Sequence, residues 1–123
     1  QTNGSAGAIK CKTMILGSMN RGSIYDWSNG TAEDLLHFEF GADGLGGLSI
    51  SLNISWWTAT NVLSHPDFLS NFQTYIADRV ADRTGYTALT LTLSAAVYEA
   101  LQAQEGQTII ATLTNKNWTV AQA

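Results

Sequence analysis

The sequence of 123 residues contains one cysteine, one proline and few charged residues, and each scarcity excludes a class of protein. A single cysteine cannot form an internal disulfide, so the chain is not a disulfide-stabilised scaffold. One proline against eleven glycines excludes collagen-like and proline-rich proteins. No apolar run approaches the roughly 18 residues of a membrane-spanning helix, so we expect no transmembrane segment.

Charge is also scarce, and it is unevenly distributed. Charged residues make up 13% of the chain and the net charge is −4. Nucleic-acid binding depends on clustered Lys and Arg, so we expect no nucleic-acid partner. No Lys or Arg occurs between Arg21 and Arg79, a stretch that contains seven acidic residues. This stretch indicates either a solvated acidic surface or a docking site for a basic partner.

Hydrophobic residues are 45% of the chain, which is enough for one packed core. The length suits one hydrophobic core, so we predict a single domain over residues 1–123. Alternation of apolar and polar residues predicts strands over 8–16, 34–40, 48–56, 89–93 and 107–114, with a weak edge strand over 116–120.

Helical spacing and capping residues predict two helices. The first starts at a capping box formed by Ser64 and Asp67 and ends at Gly85. The second is capped by Ser94 and ends at Gly106. Asp43-Gly44 predicts a hairpin between the second and third strands.

One polar and one apolar side on each strand is typical of antiparallel sheets with one solvated face. We therefore predict an α+β fold. It is a two-layer sandwich in which a largely antiparallel five- or six-stranded sheet carries two helices on one face.

Several features predict secretion. The chain begins with Gln1 and not with methionine, which we interpret as processing of a precursor. Four Asn-x-Ser/Thr sequons make it a candidate glycoprotein, although chance matches in a Ser/Thr-rich chain are the alternative. The glycosylation candidates are Asn3, Asn29, Asn53 and Asn117.

Cys11 has two interpretations. Free cysteines usually pack as small buried hydrophobes. An odd cysteine in a secreted chain can instead form an interchain disulfide, with a second chain or in a homo-oligomer.

The sequence carries no motif of a catalytic nucleophile and no metal-ligand spacing, so we predict no catalytic residue, metal or cofactor. His37 and His65 are the only imidazole bases, and neither has a nucleophile near it in sequence. An enzyme whose residues meet only in the folded protein is our third hypothesis.

Aromatic and acidic residues in polar segments are the best candidates for binding. Large aromatic side chains outside a core anchor interfaces and stack on sugars. In a strand that continues through Trp56-Trp57, Trp57 faces solvent; burial of both indoles is the alternative. The predicted binding residues are Tyr25, Asp26, Trp27, Asp43 and Trp57.

No motif identifies a family. In its layout, short and acidic with helices over an antiparallel sheet, the chain resembles the small secreted α/β-sandwich killer toxins of yeasts and smut fungi. The resemblance implies a secreted toxin-like or effector-like binding protein, whose partner is a protein or a cell-surface glycan. The second hypothesis is a structural subunit of an extracellular or viral assembly, formed by sheet contacts.

Overall fold

The computed structural model describes residues 13–16, 31–40 and 51–123. Five strands and three α-helices lie in these ranges. In chain order they are β1 (Thr13–Leu16), β2 (His37–Phe40), β3 (Leu52–Asn53), α1 (Phe68–Phe72), β4 (Leu89–Leu93), α2 (Ala95–Gln102), α3 (Gln107–Asn115) and β5 (Trp118–Gln122). A π-helical segment, Gln73–Ala77, continues α1, and a short 3₁₀ turn, Gln104–Gly106, precedes α3.

The central sheet has three strands in the order β3-β4-β5, and both of its strand pairs are parallel. Leu91 pairs with Leu52 on one side and with Val120 on the other. Parallel neighbours require a crossover of a dozen or more residues, commonly helical. The segments 54–88 and 94–117 are such crossovers, because they contain α1 and then α2 with α3.

The prediction of one largely antiparallel sheet of five or six strands with two helices is therefore wrong. In the described part of the chain, β1 and β2 form a separate parallel pair, with Met14 opposite Phe38. That prediction rests on the alternation of apolar and polar residues, which is typical of antiparallel sheets with one solvated face. Alternation determines only which face of a strand is buried, and it is the same for either strand direction. The layout that supported the resemblance to killer toxins is lost with this correction.

The largest local error concerns residues 107–114, which were predicted as a strand and form α3. Ile109 and Leu113 are buried while Ala111 between them is exposed, which fits a helix; in a strand all three would share one face. The start of α3 lies close to the end of α2: a Cβ built on Gly106 would lie 2.6 Å from the Leu101 Cα. Threonine and isoleucine favour strands only weakly, and this tertiary packing overrides them.

The two helices predicted from spacing are present, with different ends. The first begins at Phe68 after Asp67, without a side-chain cap, and not at Ser64. Its predicted inward positions Phe68, Phe72 and Ile76 are confirmed as buried. The cap of α2 is also confirmed, since the Ser94 Oγ accepts a hydrogen bond from the Val97 N–H at 3.3 Å.

The core is organised around Trp57. Its ring stacks on Phe72, with centroids 5.8 Å apart and planes 5° apart, and it contacts Phe68 at 5.5 Å. The indole Nε1 donates to the Leu35 carbonyl oxygen at 2.9 Å, and the Trp57 carbonyl accepts from the Ser94 Oγ at 2.9 Å. One residue thus connects the 31–40 segment, α1 and the start of α2.

Trp57→Ala is expected to lower the free energy of unfolding by about 3–5 kcal/mol, because it opens a large cavity. It also leaves the Leu35 carbonyl without its donor. Trp57→Phe keeps an aromatic ring and should cost less. Equilibrium urea unfolding measures both, with Gln102→Ala, an exposed position on α2, as the control. Wild-type stability of Trp57→Ala would contradict the buried position.

Candidate functional site

Most of the sequence-predicted site residues lie outside the described residues. This group comprises Tyr25, Asp26, Trp27, Asp43, Cys11, Asn3 and Asn29, as well as the Asp43-Gly44 hairpin. Their roles in binding, in an interchain disulfide and in glycosylation stay predictions.

Trp57 was predicted to be exposed, and this is wrong: the side chain is 1% exposed. β3 ends at Asn53, and the Trp57 N–H donates to the Ile54 carbonyl at 3.0 Å, so the chain turns where the prediction continued the strand. The turn brings Trp56 and Trp57 to the interior together, which confirms the alternative interpretation. Trp57 therefore offers no surface for direct contact with a partner.

The two described sequons differ in how the asparagine is used. Asn53 is half-buried and its Oδ1 accepts from the Ser55 N–H at 2.9 Å. The Asn117 Nδ2 donates to the carbonyls of Tyr86 at 2.7 Å and Arg83 at 3.2 Å. An N-linked glycan leaves only one hydrogen on this nitrogen, so a glycosylated Asn117 cannot make both bonds.

The two histidines lie in different environments. The His37 ring is half-buried, and its centroid lies 4.3 Å from that of Tyr75, on the π-helical segment. The Arg79 guanidinium lies 5.0 Å from the centroid of the Tyr75 ring. His65 is exposed, and its Nδ1 accepts from the Asp67 N–H at 3.1 Å. In this arrangement the Nδ1 of His65 is already used as an acceptor.

A candidate site that sequence reasoning missed is the turn of residues 82–88, here named the Tyr86 turn. Tyr86 is 69% exposed and is the exposed large hydrophobic residue within 51–123. The turn precedes β4 and lies beside the α3–β5 junction, since the Arg83 N–H donates to the Lys116 carbonyl at 2.8 Å. It therefore occupies the amino-terminal end of the parallel sheet.

Backbone geometry shapes the Tyr86 turn. The Tyr86 N–H donates to the Arg83 carbonyl at 2.9 Å, which closes a four-residue β-turn. Gly85, its third residue, has a φ of +86°, as a type II turn requires. The Asn117 side-chain amide donates to the carbonyls of Arg83 and Tyr86. The turn is therefore held by its own hydrogen bond and by the residue that precedes β5.

Side chains fix the rest of the Tyr86 turn. The Arg83 guanidinium lies 5.3 Å from the Tyr86 ring centroid and donates twice to the Thr87 carbonyl, at 3.3 and 3.1 Å. The exposed Asp82 carboxylate accepts from the Thr84 hydroxyl at 2.5 Å and from the Thr84 N–H at 3.0 Å.

The Thr84 hydroxyl bond, followed by the Thr84 N–H bond, holds the pKa of Asp82 below its ordinary value of 3.8. A carboxyl group with a lowered pKa in the folded state stabilises the fold above its unfolded pKa. The contribution of Asp82 is therefore complete above pH 3.8 and is lost as the pH falls through the lowered pKa.

A sequence signal for this site existed. Tyr86 lies in the polar segment Arg83-Thr84-Gly85-Tyr86-Thr87, directly after Gly85, where the first predicted helix ends. The same reasoning that selected Tyr25 and Trp27, a large aromatic within a polar loop, applies to Tyr86. Gly85 ends the predicted helix, and in the structure it also supplies the positive φ of the turn that carries Tyr86.

Comparisons with known proteins identify no relative: no family model, curated protein or solved structure matches the chain. Within residues 13–16, 31–40 and 51–123, no helix is both long and apolar enough to cross a membrane. The same residues contain no group of three His, Cys, Asp or Glu placed to hold a metal ion.

The role of Asn117 in ordering the Tyr86 turn is testable with two variants. Asn117 has a φ of 65°, which glycine adopts freely and alanine does not. Asn117→Gly therefore removes only the two amide bonds, whereas Asn117→Ala also adds backbone strain. Loss of the bonds should accelerate hydrogen exchange of the Tyr86 amide about tenfold or more in both variants. NMR-detected exchange measures this; an unchanged rate in Asn117→Gly would show that the turn is ordered without Asn117.

Proposed function

We propose that this protein is a secreted, effector-like binding protein that acts by contact with a partner or a cell surface, through the Tyr86 turn. The observation that supports the proposal is a large aromatic side chain, 69% exposed, on a turn that is already hydrogen-bonded into one shape. Secretion rests on the sequons other than that of Asn117, whose amide holds the turn, and it is part of the proposal.

The energetics of the Tyr86 turn favour binding. An exposed aromatic ring gains free energy when a partner removes its surface from water. Tyrosine and arginine are enriched among the residues that dominate binding energies, and Tyr86 and Arg83 are adjacent here. Because the Arg83 guanidinium and the turn backbone are already held, little conformational entropy remains to be lost on association.

The arrangement of the sheet supports a binding function more than a catalytic one. In parallel α/β sheets, ligand and catalytic sites form at the carboxyl ends of strands where the strand order reverses. The described order β3-β4-β5 is sequential and has no reversal. At the carboxyl ends of β3 and β4, the Ser94 Oγ donates to the Trp57 carbonyl, and both residues are buried. The chain that follows each of these two strands therefore leads to a buried residue.

Binding to intact fungal, plant and animal cells by fluorescently labelled protein tests this proposal. Tyr86→Ala should reduce saturable binding about tenfold or more, because it removes the anchoring ring. Its melting temperature should stay close to wild type, since the side chain is exposed. Gln102→Ala, an exposed change on α2, serves as the matched control and should bind as wild type.

Equal binding by Tyr86→Ala and wild type would contradict the Tyr86 turn as the contact surface. A lower melting temperature of Tyr86→Ala would instead assign the residue a structural role. The two readouts together therefore separate a loss of contact from a loss of fold.

A second candidate function, a subunit of an extracellular assembly, is favoured by β5. This strand is last in the order of the central sheet, and its residues, Trp118–Gln122, carry no charge. Uncharged edge strands are prone to pair with other strands.

The molecular mass in solution, measured over a range of concentrations, separates the two functions. The mass of an assembly subunit should increase with concentration, whereas a contact-binding protein should stay monomeric or dimeric. Thr119→Lys, which places a charge at an exposed position of β5, should abolish such growth.

A further inference from the structure

We propose that the Tyr86 turn binds a neutral glycan, with one sugar ring stacked on Tyr86. This inference rests on the proposed function and names the chemistry of the partner. It follows from the size of the apolar surface, the polar groups beside it and the balance of charge in the turn.

The apolar surface of the turn matches one sugar ring in size. Tyr86 is a single exposed ring, the exposed large hydrophobic side chain within residues 51–123. Protein–protein interfaces bury about 800 Å² on each partner and centre on several apolar side chains. A pyranose presents one apolar C–H face, comparable in area to a tyrosine ring. Arg83 lies over the Tyr86 ring, and the high exposure of Tyr86 leaves ring surface accessible to a ligand.

Polar groups next to the ring suit the hydroxyl rim of a sugar. Thr87 follows Tyr86 directly, and Asn115 belongs to the segment that contacts the turn, since the carbonyl of the next residue, Lys116, accepts from the Arg83 N–H at 2.8 Å. The side chains of Thr87 and Asn115 are exposed and make no hydrogen bond within the described ranges. They offer a hydroxyl and an amide, each of which can both donate to and accept from sugar hydroxyls.

The charge balance favours a neutral ligand. The turn contains one cation, Arg83, and one anion, Asp82. Arg83 is directed to the Thr87 carbonyl and the Tyr86 ring, and Asp82 to Thr84. Neither charge needs a partner from outside, and the net charge of −4 opposes phosphorylated or carboxylated polymers. A ligand without charge therefore fits the turn best.

Binding to immobilised neutral polysaccharides tests the inference. The panel comprises β-glucan, α-mannan, chitin and xylan, with heparin and polygalacturonate as anionic counterparts. We expect saturable binding to at least one neutral member, unchanged between low and high salt because no ion pair is involved. Tyr86→Ala should weaken it about tenfold or more, Tyr86→Trp should retain it because a flat ring is preserved, and Gln102→Ala should leave it unchanged. Binding to the anionic polymers alone, or binding indifferent to Tyr86→Ala, would overturn the inference.

Treated cells separate failure of this inference from failure of the proposed function. Glycosidases matched to the panel (β-glucanase, α-mannosidase, chitinase and xylanase) digest surface glycans, whereas a protease removes surface proteins. We expect Tyr86-dependent cell binding to be lost after treatment with at least one glycosidase and retained after protease. Loss after protease alone would identify a protein partner, which overturns the glycan and keeps contact binding. Cell binding that does not depend on Tyr86 would overturn both.

Discussion

The burial of Trp57 is the constraint on which the arrangement of the other elements depends. A buried indole needs an acceptor for its N–H, and the Leu35 carbonyl supplies one. Backbone bonds extend this contact, because the Ala59 N–H donates to the Ala32 carbonyl at 2.8 Å and the Asn61 N–H to the Glu33 carbonyl at 3.0 Å. The segment that leads into β2 is thereby joined to the chain that leads into α1. The stacking of Phe72 on the same indole then sets the position of α1.

The parallel sheet separates core from contact surface. The carboxyl ends of β3 and β4 lead into Trp57 and Ser94, which bond to each other in the interior. The amino ends of β4 and β5 receive the Tyr86 turn and Asn117, where an aromatic ring is displayed to solvent. A second set of hydrogen bonds stabilises the amino-terminal end of the sheet. The Lys116 Nζ donates to three carbonyls at and just after the end of the π-helical segment, those of Ala77, Asp78 and Val80. The Tyr86 ring is therefore carried by a turn that is hydrogen-bonded to Asn117, next to Lys116, which is itself bonded to the chain before the turn.

Most of the burial could be predicted from the sequence, and the strand directions could not. Leu89, Leu91 and Leu93 are buried as their alternation indicated, because every second side chain of a strand points to the same face. The spacing of Phe68, Phe72 and Ile76 predicted a helix face for the same geometric reason. The Trp57 ring could not be placed, since that depended on a turn after Ile54 that alternation does not encode. The exposure of Tyr86 could not be predicted either, because it depends on a turn that the distant Asn117 amide holds in place.

The sequence by itself determined the burial of every second residue of β4, the burial of Phe68, Phe72 and Ile76, and the start of a helix at Ser94, since these depend on neighbours within a few residues. Only the tertiary structure decided three further features: that β4 pairs in parallel with β3 and β5, that residues 107–115 form a helix, and that Tyr86 is displayed while Trp57 is enclosed. The physical reason is that these outcomes depend on contacts between segments distant in sequence. Hydrogen bonds such as those of Asn117 to the Tyr86 turn and of Trp57 to Leu35 form only after the chain has brought these residues together.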